Sequence, residues 1–248
     1  MKKYDAFQLK LFMALLMVLD HLPHIPGLIF PTWVGIFHLM TRCVGAWFAF
    51  MAVEGFLHTH NRAKYNIRLF LWAGIMFAGN SLLTYLFRSK DVYVSNNIFL
   101  TLAIGVLLLN MWAYGGSSLS VGHKVLKLSG MATITVVGAV YAEGGYVLLP
   151  FMLMTYGFRN RQKLRNISYI LFSLLLLLPN LPIVFQYDSL KIGLDMFLFN
   201  SDWFFLSVLP FIYLYNGKRG RKDWFAKYFF YWFYPLHLWA IAAISYLL

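Results

Sequence analysis

Long apolar runs, each closed by a short polar or basic cluster, succeed one another along the chain. Nine of them have the length and purity of helical segments: Phe7–Ile25, Thr32–Leu57, Ile67–Phe87, Asn97–Trp112, Val125–Tyr141, Tyr146–Phe158, Ile167–Phe185, Asp202–Tyr215 and Trp224–Leu248. A helix needs about 20 mostly apolar residues to cross the hydrocarbon core, because only internal hydrogen bonding satisfies its backbone there. Tyr146–Phe158 and Asp202–Tyr215 are short for this, so they are tilted, re-entrant or extended by their flanks, and the count is eight to ten. The pattern therefore predicts an all-α, polytopic transmembrane bundle of about nine helices. With no internal repeat, linker or low-complexity tail, residues 1–248 are expected to form a single membrane domain. The stretch Gln186–Ser201 is expected to be the longest outer loop.

Composition agrees, at 60% hydrophobic and 12% charged residues against roughly a quarter charged in soluble domains. The basic residues then orient the bundle, since Lys and Arg collect on the cytoplasmic side. Of 21 Lys and Arg, 17 fall on one side, in the terminus, the loops and the adjoining ends of spans, Arg88, Lys90 and Lys191 fall on the other, and Arg42 lies deep inside a span. This places the N-terminus in the cytoplasm and the C-terminus outside, in a multi-pass protein of the bacterial cytoplasmic membrane. The net charge of +12 is thereby explained by insertion, and nucleic acid is not expected as a partner; membrane lipid is. The opening Met-Lys-Lys resembles a signal peptide, but Asp20, His21 and Pro23 stand where a small-residue cleavage site belongs. The lone Cys43 excludes an intrachain disulfide and a cysteine-clustered metal site, and no metal ligand set is expected.

In this solvent an ionisable residue inside a span costs a few kcal/mol or more unless paired or hydrated, which makes the few that occur informative. Asp20 and His21 lie near mid-depth of the first span, Arg42 at a comparable depth of the second, and His237 near the middle of the last. His38 precedes Arg42 by one turn and shares its face, while Glu54 lies about 18 Å nearer the cytoplasm on the same helix. A structural ion pair between Asp20 and Arg42 is the simplest reading of two of them. The whole set, three histidines with two carboxylates and an arginine, exceeds what joining two helices requires. Pro23 and Pro26 break the first helix just beyond His21, and unwound backbone at that depth needs protein or a water-filled cavity against it. A histidine in such a cavity can act as an oriented base.

Four stretches carry a resemblance: ALLMVLDH (Ala14–His21), RCVGAWFAFMAVEG (Arg42–Gly55), NIFLTLAIG (Asn97–Gly105) and YWFYPLHL (Tyr231–Leu238). Together they resemble the TraX family of membrane acyltransferases, typified by the enzyme that acetylates the N-terminus of conjugative pilin. The chain departs from that pattern with Thr41 and Ala46 where the family often has Gly and Pro, and with Pro23 near the place of a Gly. The family is in turn similar to the acyltransferase-three group, which moves acetyl groups from cytoplasmic acetyl-CoA to extracytoplasmic sugars.

The resemblance implies an O- or N-acetyltransferase with His21 as its catalytic residue, either base or acyl acceptor, and Asp20 or Glu54 orienting it. Arg42 would stabilise the oxyanion, a role worth about 3 kcal/mol. His38, Asn97, Tyr234 and His237 would contact substrate, and the basic clusters that include Arg159, Arg161, Lys218 and Arg219 would hold the phosphates of acetyl-CoA. The acceptor would be a pilin amine, a cell-surface glycan or a lipid-linked precursor. Two other classes compete. A secondary transporter or proton relay also uses intramembrane Asp, Glu and His, though no inverted repeat is present; a non-catalytic assembly partner of pilus or surface-polymer machinery needs none of this chemistry.

Overall fold

The computed structural model describes residues 3–115 and 120–248; Lys2 of the inner-side charges, and 116–119, lie outside the described residues. The described residues form ten α-helices: α1 Ala6–His21, α2 Pro31–His58, α3 Arg62–Leu86, α4 Ile98–Ala113, α5 Val121–Tyr141, α6 Gly145–Gly157, α7 Gln162–Leu177, α8 Leu190–Phe199, α9 Leu209–Leu214 and α10 Trp224–Leu247. Turns of 3₁₀ helix extend α1 over Leu22–His24 and α7 over Leu178–Phe185, and precede α9 over Asp202–Val208. All nine predicted segments are helical, and no strand occurs among the described residues beyond one isolated bridge, Tyr4 to Tyr215.

Among the described residues five helical stretches suit a membrane crossing by length and apolarity, and α8 with Asp202–Leu214, bent by 54°, makes a sixth. This is a multi-pass membrane protein. The figure of nine is not reached on that criterion. At 16 and 13 residues, α4 and α6 are about 24 and 20 Å long against a core of about 30 Å. The 24 residues of α10 are long enough but rich in Tyr and Trp, whose rings carry polar atoms. One expectation is corrected outright: most of Gln186–Ser201 is not loop but the helix α8. Its Gly193 lies so close to the Val184 carbonyl that a Cβ could not be accommodated. A short apolar helix folded back this way carries no loop signal and none of the length of a span.

The chain divides into two compact units. The first comprises 1–47, 80–94 and 167–248. Here Asp5 and Gln8 form a reciprocal cap on α1, each side chain accepting the other's backbone N–H at 2.9 and 3.0 Å. The preceding strand-like residues are tied down by Tyr4, whose N–H donates to Leu214 O at 3.0 Å. On α1 the buried positions Leu9, Met13, Met17 and His21 recur every four residues and form its core-facing stripe, with Met13 against Cys43 of α2 and His21 against His237 of α10. At its foot Phe7 meets Phe225 and Phe229 edge-on at 6.5 and 6.4 Å. Trp239 Nε1 donates to Asn80 Oδ1 at 2.9 Å and fixes α10 against the end of α3. The break between α8 and Asp202 is pinned by Ser173, whose hydroxyl donates to Trp203 O at 2.7 Å.

The second unit comprises 48–79 and 95–166. Leu108, Met131 and Leu149 from α4, α5 and α6 form its core, with Ile104, Ile134 and Leu153 around them. The close approach of α5 and α6 is set by Gly145, which rests on the carbonyl of Gly138 where no side chain fits. Two of its buried polar side chains bond to backbone: Asn66 Nδ2 donates to Ala103 O at 2.8 Å and Thr101 Oγ1 to Glu143 O at 2.7 Å.

Candidate functional site

Helix α1 ends at His21 because Pro23 supplies no N–H to continue it. The ring of His21, 5% exposed, turns back along its own helix so that Nδ1 lies 2.8 Å from Met17 O. A carbonyl only accepts, so Nδ1 carries the proton and Nε2 of the neutral ring keeps the lone pair. His237 repeats the arrangement on α10, with Nδ1 3.0 Å from Phe233 O, and His24 repeats it at 3.1 Å from His21 O. The three rings adjoin: His24 stacks on His21 at 5.7 Å and His237 meets His21 edge-on at 5.2 Å. Phe233 stacks on His237 at 5.1 Å and the buried Tyr234 abuts it at 5.7 Å, leaving the ring little freedom. Among the described residues no three His, Cys, Asp or Glu side chains are grouped to hold a metal ion.

A second cluster forms where α2 crosses α1. His38, Thr41 and Arg42 share one face of α2, and Asp20 faces them from α1. The Thr41 hydroxyl, 4% exposed, lies 2.6 Å from Asp20 Oδ1 and 2.9 Å from Phe37 O; its single proton goes to the shorter, charged acceptor. Arg42 donates through Nε to His38 O at 2.9 Å, through Nη1 to Asp202 Oδ1 at 2.7 Å and through Nη2 to His38 Nδ1 at 2.6 Å. Asp20 Oδ1 lies further off, 3.6 Å from Nη2. His38 Nδ1 is also 3.2 Å from Asp20 Oδ1, but it cannot donate there while accepting from a guanidinium that has only donors. On the shorter contact Nδ1 is the acceptor, which leaves the ring proton on Nε2.

The sequence-derived residues thus divide. His21, His24 and His237 with Tyr234 form one group, and Asp20, His38, Thr41 and Arg42 another, both in the first unit. The contact that orients His21 is the Met17 carbonyl rather than Asp20 or Glu54. Glu54 belongs to the second unit, its carboxylate 4.0 Å from His58 Nδ1. Asn97 is there too, as the N-cap of α4: its Oδ1 accepts from Leu100 N at 3.3 Å and its Nδ2 donates to Ala73 O at 3.0 Å. That is a structural duty, and Asn before an apolar helix is its sequence signature. Arg159 lies over the Tyr156 ring at 4.4 Å and donates to Tyr156 O at 2.9 Å. Arg161 is exposed beside it, and Lys218 and Arg219 are exposed in the other unit, where the Lys218 carbonyl accepts from Ala6 N at 2.9 Å.

Two residues were not legible beforehand. Asp202 opens a predicted span, yet its carboxylate is the nearer of two to Arg42, at 2.7 Å against 3.6 Å for Asp20. Ser201, wholly buried at the break in the bent pair, has an Oγ without a partner among the described residues. The signal for both was Asn-Ser-Asp following ten residues of apolar helix, the mark of a broken span.

Residues 6–245 match the family described as TraX protein. The chain belongs to the TraX family. A probable fimbrial assembly protein, FimC of serogroup H1 from Dichelobacter nodosus, is similar at 28% identity over 259 residues, covering 95% of this chain and 93% of that protein. No solved structure matches. Within this TraX-family chain Thr41, a departure from the glycine expected before the arginine, is the residue that hydrogen-bonds Asp20.

Proposed function

We propose that this TraX-family protein is a membrane acetyltransferase that moves an acetyl group from cytoplasmic acetyl-CoA to an amine or hydroxyl of an extracytoplasmic acceptor. The observation that carries the reading is the state of His21. Its ring is buried at the last residue of α1, where Pro23 breaks the helix, and Nδ1–H is committed to Met17 O, so Nε2 is the nitrogen left for chemistry. An imidazole held this way suits a base or acyl acceptor, because its tautomer and orientation need no rearrangement at the moment of reaction.

Acetyl-CoA supplies an activated thioester from the inner side, where exposed Lys218 and Arg219 follow α9 in the same unit as His21. These are charges that suit phosphates. Arg42 supports the site as a clamped cation: three of its nitrogens are held by His38 and Asp202, so its charge is fixed in place for an oxyanion. The acceptor class covers a pilin N-terminus, a surface glycan and a lipid-linked precursor. Incubating the purified protein with acetyl-labelled CoA tests the reading. Release of CoA thiol or labelling of protein or acceptor is expected, and unchanged acetyl-CoA would sink it.

The alternative of a non-catalytic assembly partner draws on the name of the Dichelobacter nodosus relative, a probable fimbrial assembly protein. It predicts loss of fimbriae on deletion and full rescue by His21→Ala.

A further inference from the structure

We propose that transfer uses two histidines, His21 Nε2 carrying the acetyl group and His237 Nε2 taking the proton of the acceptor. This deepens the acetyltransferase reading and rests on it. A neutral imidazole has one lone-pair nitrogen. In His21 that nitrogen is Nε2, since Nδ1–H is held by Met17 O at 2.8 Å. Once Nε2 is acylated the ring has no lone pair left, so His21 can open the thioester but cannot then activate the acceptor. A covalent route therefore needs a second base beside the acyl group.

His237 meets that need on three independent counts. Its ring lies 5.2 Å from His21, edge to face, close enough for one small group to bridge them. Its Nδ1–H is donated to Phe233 O at 3.0 Å, which leaves Nε2 as the acceptor. That Nε2 is buried and finds no donor among the described residues, an arrangement proteins avoid unless a ligand or reacting group completes it. His24 also adjoins His21, at 5.7 Å, and has the same tautomer, but it is exposed, where water serves its Nε2. The remaining ionisable groups nearby are engaged elsewhere: Asp20 with Thr41, and Arg42 with Asp202 and His38.

The bonds balance as follows. His21 Nε2 attacks the thioester carbon; the new C–N bond forms as the C–S bond breaks, and its electron pair leaves on the CoA sulfur as thiolate. The acceptor N–H or O–H then gives its proton to His237 Nε2 as its lone pair attacks the acyl carbon. The C–N bond breaks and its pair returns to His21 Nε2. The proton on His237 makes up the one the thiolate takes, so the net change is one proton from acceptor to CoA thiol.

The test is rapid mixing of the purified protein with acetyl-CoA, following thiol release and intact mass, with water as acceptor and hydroxylamine as the probe nucleophile. His237→Gln and His237→Asn are expected to release a stoichiometric burst of CoA, retain an acetyl adduct, and then turn over about a hundredfold or more slowly. Hydroxylamine, which attacks without a base, restores their turnover. His21→Gln gives no burst, and His24→Gln behaves as wild type. If wild type turns over while both His237 variants keep the wild-type steady state or lose the burst, the two-histidine assignment is overturned alone. It is also overturned if His24→Gln is the variant that stalls. A wild type that leaves acetyl-CoA intact overturns the acetyltransferase reading itself.

Discussion

Arg42 Nη1 lies 2.7 Å from Asp202 Oδ1, joining α2 to the break in the bent pair across 160 residues of sequence. The nearer carboxylate in sequence, Asp20, is 3.6 Å away. Arg42 thus faces two carboxylates, and neutralising the cluster requires more than one of them to change. Losing one member of a buried pair costs about 3 to 5 kcal/mol, and about 1 to 3 is expected here because the side chains keep partial exposure. Arg42→Met combined with Asp20→Asn still strands Asp202 and is expected to remain destabilised, whereas Arg42→Met with Asp202→Asn regains most of the loss. Thermal melting in detergent of the two double variants separates them; equal melting temperatures would refute Asp202 as the principal partner. The same preparations are expected to lack acetyl transfer, since methionine in place of Arg42 has no N–H to offer an oxyanion.

Thr41 donates to Asp20 at 2.6 Å from a buried position. Thr41→Val keeps the shape and removes the donor, with an expected cost of about 1.5 to 3 kcal/mol for a hydrogen bond to a charged group. Thr41→Ser keeps it and should stay within about 1 kcal/mol of wild type. Chemical denaturation of both variants checks this, and a Val variant as stable as the Ser variant contradicts it.

His21→Ala removes the lone pair on Nε2 and one hydrogen bond to Met17 O, so about 1 kcal/mol of stability is expected to go. Membrane insertion is expected to persist, because taking an ionisable group out of a span does not oppose it. Acetyl transfer should be abolished. Transfer at the wild-type rate by a folded His21→Ala protein contradicts the assignment.

The charge distribution of the loops predicts a cytoplasmic position for Arg159 and Lys218. A cysteine at Asn160 should be shielded from an impermeant thiol reagent in intact cells, and one at Ser189, just before α8, should react. Cys43 is 2% exposed and gives no background. Labelling at Asn160 from outside reverses the donor side.

Elements bound to their own stretch of chain were legible in the sequence. The helices follow from apolar runs in a medium that forbids unsatisfied backbone, and the end of α1 follows from Pro23, a residue with no N–H. Asp20, His21, Arg42 and His237 were conspicuous for a similar reason, since an ionisable group in hydrocarbon is costly wherever the fold puts it. Which groups pair was decided only by tertiary structure. Asp202 reaches Arg42 because α8 and the residues after it form a bent pair, and a bend in a later helix leaves no trace in the sequence around Arg42. Asn97 and Glu54, conspicuous in sequence, fall in the second unit, Asn97 as a cap and Glu54 beside His58. The tautomer of His21 comes from the carbonyl four residues before it, a local effect of the helix. Its pairing with His237 comes from α1 packing on α10, which joins the two ends of the chain, and no local pattern specifies a contact at that separation.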